Sequence, residues 1–241
     1  MNQFLKIINI LVLWLLTSEI HAQKELNAID FDQINQKKVR RLIRQMQDHR
    51  IDYFSDFEAS VGPDDELNFF VSYEKEYIVK EPPDLVWDSY IYSDQTDIWD
   101  NHRVSFGLLY SADSESIIYA DQHYFGIEEG QIFFLNLRII NGLVNLPVAF
   151  KILRIDPDQR RIEFSYLSGG KASGIQIISM DKTDEGYVKI VHTSYVKSDS
   201  HFRDKYLYPY FHNKIINEFH QNMKKMVAFH AKSSSVLTQL K

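Results

Sequence analysis

The chain has 241 residues, 44% of them hydrophobic and 25% charged, with a net charge of −6. This is the profile of a globular protein of one large domain or two small ones, and it excludes a disordered acidic tail, a collagen-like fibre and a polytopic membrane protein. No segment carries the dense basic patch that a phosphate backbone demands, so nucleic acid is not an expected partner.

Residues 1–22 read as a secretory signal peptide. Lys6 gives a weak positive end, Ile7 to Leu16 is an apolar run broken by Asn9, and Ile20-His21-Ala22 resembles a cleavage site before Gln23. A run of about ten apolar residues is too short to span a bilayer, which takes roughly 20. The chain contains no cysteine, so no disulfide is expected. A secreted or periplasmic location fits both features.

From Asp30 to Arg50 the pattern is helical, with a rough apolar stripe of Ile34, Val39, Leu42, Ile43 and Met46. Lys37, Lys38, Arg40, Arg41 and Arg44 surround it. Such a helix either packs on the domain or touches anionic lipid. Gly62-Pro63-Asp64-Asp65 then breaks the chain. Residues 68–79 alternate as a half-buried strand, with Phe69, Val71, Tyr73, Tyr77 and Val79 on one face. Glu81-Pro82-Pro83-Asp84 ends that strand and starts a short helix carrying Trp87; a second short helix holds Ile98 and Trp99.

From Ile117 the pattern is a β-meander. Strands are expected at 117–125, 131–140, 147–155, 161–167, 174–180 and 187–197, joined by connections such as Asn141-Gly142 and Asp156-Pro157-Asp158-Gln159. Links this short join antiparallel neighbours. A long helix follows, roughly Asp204 to His230, with a stripe of Phe211, Ile215, Phe219, Met223 and Met226 or Val227. Pro209 marks where its regular part begins, and a flexible polar tail is expected over 231–241.

This order resembles the helix-grip fold of the START-like, or SRPBCC, superfamily, which includes Bet v 1 allergens and polyketide cyclases. The segment Glu76–Asp88, EYIVKEPPDLVWD, is similar to the opening strand and first helix of that superfamily, and Trp99 falls where a second Trp often does. The resemblance covers 68–230 and leaves 23–67 as an N-terminal helical extension. It implies an α+β fold: a curved seven-stranded antiparallel sheet around a long C-terminal helix, two short helices after the first strand, and a cavity between sheet and helix.

The strand phases nominate the lining of that cavity. Tyr73 belongs to the apolar face of its strand, Phe150 shares a face with Val148 and Ile152, and Tyr166 follows Ile162 and Phe164. His192 alternates in phase with Val188, Ile190 and Val196, and Gln176 with Gly174 and Ile178. His212 and Phe219 would roof the space. Glycine at 174 allows close approach of a helix or ligand. His123, in phase with Tyr119 and Phe125, is a further candidate inward imidazole. Arg138 shares its phase with Phe134 and reads as outward-facing. His212 and His220 lie eight residues apart on one helix face, too far for one metal ion. No P-loop, nucleophile elbow or thiol nucleophile is present, and no cofactor or metal is implied.

The expected function is binding of a hydrophobic small molecule or lipid, without catalysis, by a monomer. Two alternatives stay open: a cyclase- or aromatase-like enzyme using cavity His and Tyr residues as acid–base groups, and an interaction protein whose cavity has collapsed.

Overall fold

The computed structural model describes residues 24–140, 142–170, 172–198, 200 and 203–239. The expected leader lies outside them. Helix α1 (Lys37–Asp48) precedes strand β1 (Val71–Val79), which leads into helix α2 (Pro83–Tyr92) and the four-residue helix α3 (Gln95–Ile98). Strands β2 (Val104–Ser111), β3 (Ser116–Tyr119), β4 (Ile132–Ile139), β5 (Val144–Asp156), β6 (Arg161–Tyr166), β7 (Ala172–Lys182) and β8 (Val188–Ser198) follow. A π-helical turn, Arg203–Leu207, opens the final helix α4 (Tyr208–Gln239).

The local chemistry fits these boundaries. Pro83 takes the first position of α2, where its missing N–H costs nothing. The Asp94 carboxylate caps α3 by accepting from the Thr96 N–H at 3.0 Å. Pro209 sits in the first turn of α4. The helix runs on to Gln239, past the flexible tail expected from residue 231. Ser233 adapts to it by donating its hydroxyl to the Phe229 carbonyl at 3.0 Å.

The strands form one antiparallel sheet in the order β1-β8-β7-β6-β5-β4-β2-β3. There are eight strands, one more than the pattern predicts. The extra one is β2, VSFGLLYS, which is buried along its whole length. A strand covered on both faces loses its alternation and gives no period-2 signal. Strand β3 stops at Tyr119, so His123 lies in the loop after it and not in a strand. Its imidazole is exposed and pairs with Asp94.

Two hydrophobic layers sandwich the sheet. On the concave face, Phe133, Phe150, Phe164, Ile178 and Ile190 meet α2 and α4. On the convex face, Leu108, Tyr110, Ile132 and Phe134 meet the N-terminal extension through Leu26, Ile34, Val39, Ile43, Met46, Phe54 and Phe57. Phe54 stacks on Tyr110 at 4.1 Å. The apolar stripe of α1 is therefore buried against the sheet, the packing alternative of the two expected for the 30–50 helix. Arg138 shares the convex phase of Phe134 and donates to the Asn101 carbonyl at 3.2 Å.

Gly107 allows the extension to come this close. A Cβ there would stand 2.6 Å from the Phe134 carbonyl oxygen and 3.0 Å from Val39 Cγ1. Gly107→Ala is expected to destabilise the fold by about 1–3 kcal/mol through overpacking, read as a lower urea midpoint. An unchanged midpoint would show that neither the Phe134 carbonyl of β4 nor Val39 of α1 presses on this position. At Gly174 the neighbour is β8 itself: a Cβ would meet the Tyr195 carbonyl oxygen at 2.1 Å. The glycine serves strand pairing and not the approach of a helix or ligand.

The buried face of α4 is His212, Ile216, Phe219, His220, Met223 and Val227. It is rotated from the expected stripe at its start, where Ile216 replaces Ile215 and Phe211 is only half-buried. Two imidazoles take the inward positions because the sheet and α2 carry partners for them.

Candidate functional site

The concave face divides into an aromatic wall and a polar relay. The wall is built on α4, β4, β5 and β6. Trp99, just after α3, stacks on Phe219 at 4.6 Å and lies 5.3 Å from Phe150. Phe150 stacks on Phe133 at 4.8 Å and meets Phe164 at 5.0 Å. Trp87 is buried in the same core. Both indoles are structural parts of the interior and neither stands on a flat surface.

The relay crosses from α2 through α4 to the sheet. The Tyr90 hydroxyl lies 2.7 Å from His220 Nδ1. His220 Nε2 lies 2.8 Å from His192 Nδ1, and His192 Nε2 lies 3.1 Å from Gln176 Oε1. An amide oxygen only accepts, so His192 donates from Nε2 and its Nδ1 must accept. His220 then donates from Nε2, and its own Nδ1 accepts from Tyr90. One tautomer chain satisfies every link. The Gln176 amide continues it by donating to the Tyr208 hydroxyl at 3.1 Å, which lies 3.2 Å from the Tyr166 hydroxyl. Tyr73 donates to the Asp204 carbonyl at 2.5 Å, and its ring lies 5.7 Å from Tyr208.

His212 branches from the same amide. Its Nε2 lies 3.1 Å from Gln176 Oε1, which also accepts from the Ser194 hydroxyl at 2.5 Å. With the proton on Nε2, Nδ1 is a bare acceptor. It is buried and, like seven other side-chain atoms, has no partner among the described residues. An unmet buried acceptor costs about 1–3 kcal/mol, and such atoms are rare in native proteins.

All three imidazoles are held neutral. Burial pushes His212 down to about 4 and His220 down to about 3, with Lys224 adding to the latter. Burial also drives His192 well below its ordinary value, helped by His220 and His212. Burial raises the Tyr90 and Tyr208 phenols well above theirs. Neutral imidazoles each offer one donor and one acceptor and add no charge to the interior.

The seven residues nominated to line the cavity lie on this side of the sheet; His123 does not. Tyr73, Tyr166, Gln176, His192 and His212 belong to the relay, and Phe150 and Phe219 belong to the wall. Tyr166 and His192 point to the same face, as the phase argument requires. The space they were expected to enclose is nearly filled. A cavity of about 30 Å³ remains, bordered by Tyr90, Trp99, Phe150, Phe164 and Phe219 among others, roughly room for one water. The aromatic side chains that mark the pocket in the sequence are large enough to close it. Sequence reasoning weighed His220 only as a metal ligand and left it and Tyr90 out of the site. The spacing of His220 to His212 with Ile216 between was the available signal, because it puts both rings on one helix face.

Elsewhere, an open groove of about 740 Å³ runs between the 97–103 loop and α4, lined by Asp97, Asp100, Arg103, Lys214, Glu218 and Lys225 among others. Asp94, Asp97 and His123 bring ligand-type atoms within 4.8 Å of one another. The Asp94 carboxylate is already taken by Thr96, Tyr124 and His123, so the group acts as the cap of α3.

No family model and no curated protein matches the sequence. Among solved structures the chain is similar to the major latex-like protein 151 of Panax ginseng, with a TM-score of 0.48 and 10% identity over 66% of this chain and 97% of that one. It is similar to a norcoclaurine synthase point mutant from Thalictrum in complex with a transition-state analogue, with a TM-score of 0.49 and 14% identity over 67% and 98% of the two chains. It is also similar to a protein of Nitrosomonas europaea, at 0.46 and 10% over 67% and 97%. The architecture itself, one antiparallel sheet packed against a long terminal helix, is the α+β arrangement expected from the sequence.

Proposed function

We propose that the protein binds a small, mostly apolar molecule carrying one hydrogen-bond donor between α4 and the concave face of the sheet. The observation that carries this reading is the buried, unpartnered His212 Nδ1 beside an otherwise satisfied relay. The aromatic wall takes the apolar body, and Nδ1 accepts from a hydroxyl, phenol or N–H at its polar end. A carboxylate finds no donor at that atom and is disfavoured. Because the void is only about 30 Å³, a ligand larger than a few heavy atoms enters by lifting the first turns of α4. The π-helical turn that opens α4 is the kind of distortion that supports such a hinge. Export belongs to the same reading: protein recovered from its host should begin at Gln23, and an intact Met1 would contradict that part.

The test is a titration followed by tryptophan emission, since Trp99 lies in the wall. The probes are 2-naphthol and 2-methoxynaphthalene, which differ in the donor. The hydroxyl should favour 2-naphthol by roughly three- to tenfold, the worth of one hydrogen bond. His212→Phe should abolish the preference while keeping both probes bound. Equal binding to the native protein would contradict the role of Nδ1. Failure of both probes to bind would support a second reading, which the small void favours: an interior that is plain core, in a protein that works through its surface.

A further inference from the structure

The β4–β5 hairpin ends in an apolar tip. Ile140 is 53% exposed, Leu143 83%, Val144 46% and Leu146 37%. The ribbon projects beyond its neighbours on both sides. Paired strand β2 reaches only Leu137 of β4, with one further backbone bond at Arg138, and β6 reaches only Phe150 of β5, with one further bond at Ala149. From Ile132 to Ile155 the sequence contains no Asp or Glu, although the protein carries a net charge of −6. Two guanidinium residues stand at the base of the ribbon, where the Arg138 N–H donates to the Arg103 carbonyl at 2.6 Å. Arg103 is paired with Glu218, whereas among the described residues Arg138 meets a carbonyl and no carboxylate. Nearby on α4, Tyr210 is 55% exposed with the Lys214 ammonium 4.0 Å from its ring centroid.

The backbone adds an independent sign. Ile140 sits at φ 52°, a region that β-branched residues rarely adopt. A turn chosen for stability would hold Asn or Gly there. The apolar side chain is kept at the tip in spite of the conformation.

We infer that this tip is a docking surface for an anionic lipid bilayer, with Ile140, Leu143 and Val144 entering the acyl boundary and Arg138 and Lys214 meeting the headgroups. Aliphatic tips flanked by cations and tyrosines suit the membrane interface, where amphipathic side chains bridge apolar and wet layers. Among the described residues no helix is long and apolar enough to cross a membrane, so the contact is peripheral. The strand register puts the tip at the same end of the sheet as Tyr166, Gln176 and the start of α4. The docked protein therefore turns the relay end of its interior toward the lipid. This inference does not rest on the ligand reading.

The chain has no cysteine, so a single introduced one can be labelled without ambiguity. Leu143→Cys carrying an environment-sensitive nitrobenzoxadiazole dye should brighten and shift to the blue on vesicles of phosphatidylcholine with about 30% phosphatidylglycerol. The same dye on Glu185→Cys, in the β7–β8 turn at the other end of the sheet, should not respond. This comparison separates insertion of the tip from any binding by the N-terminal segment. Leu143→Asp combined with Val144→Asp should weaken vesicle binding by about tenfold or more, since charge is costly in the acyl layer. Both positions are exposed, so the double variant should keep the native unfolding midpoint and 2-naphthol affinity. A silent dye at 143, an equal response at 143 and 185, or an equal response to pure phosphatidylcholine would overturn the inference. A dye response that follows protein concentration without vesicles would assign the tip to a second copy of the chain and overturn it as well.

Discussion

Lowering the pH from 6.5 to about 4 is expected to strip several kcal/mol from the stability of the fold. The sign follows from the three buried imidazoles. In the unfolded chain each takes a proton near pH 6.5. In the folded protein burial holds His212 to about 4 and His220 to about 3, and His192 is held down in the same way. The folded-state values are depressed, so their contribution is fully present above pH 6.5 and is lost as the pH falls toward the folded values. For His212 alone the loss is about 3 kcal/mol, at 1.36 kcal/mol per pH unit. The whole fold is worth about 5–15 kcal/mol, so acid unfolding should be complete before the relay protonates in place. Urea midpoints measured from pH 7 to 4 should fall steeply in the native protein and less steeply in His212→Phe. A flat profile over this range would show that the imidazoles are not buried as described.

Phe219→Ala is expected to cost about 3–5 kcal/mol, the range for deleting a large buried aromatic. Phe219 stacks on Trp99 and meets Tyr90 edge-on at 6.1 Å. With Met223 and Val227 it ties α4 to the rest of the core, and it already borders a small void. A loss of less than about 1 kcal/mol, in the range of surface substitutions, would mean that the terminal helix does not rest on the sheet.

The parts of the fold that were legible in the sequence are those with one wet face. Strand β1 alternates because its even-numbered residues stay exposed, and the β4–β8 hairpins are punctuated by Asn-Gly, Asp-Pro and Gly-Gly pairs. Strand β2 was invisible because Val104 to Ser111 is covered by α4 and its neighbours on one face and by the extension on the other. The role of residues 23–67 was hidden for a related reason. The stripe on α1 signals burial without naming what it is buried against, and only the topology leaves the convex face open for it. In the site, strand phase was enough to bring Tyr73, Tyr166, Gln176 and His192 to one face. It could not supply the partner of His192. His220 comes from α4, and Tyr90 from a helix 130 residues earlier in the chain. Phase also says which way a side chain points and not how much room is left, so the pocket expected from Phe150 and Phe219 turned out to be filled by them.

The most direct test of the ligand reading is a crystal structure of the protein soaked or grown with 2-naphthol. The account predicts the naphthyl ring against Phe150 and Phe164, its hydroxyl within hydrogen-bond distance of His212 Nδ1, and the first turns of α4 displaced outward. A structure with the interior unchanged and the probe absent or bound outside the helix–sheet layer would contradict it.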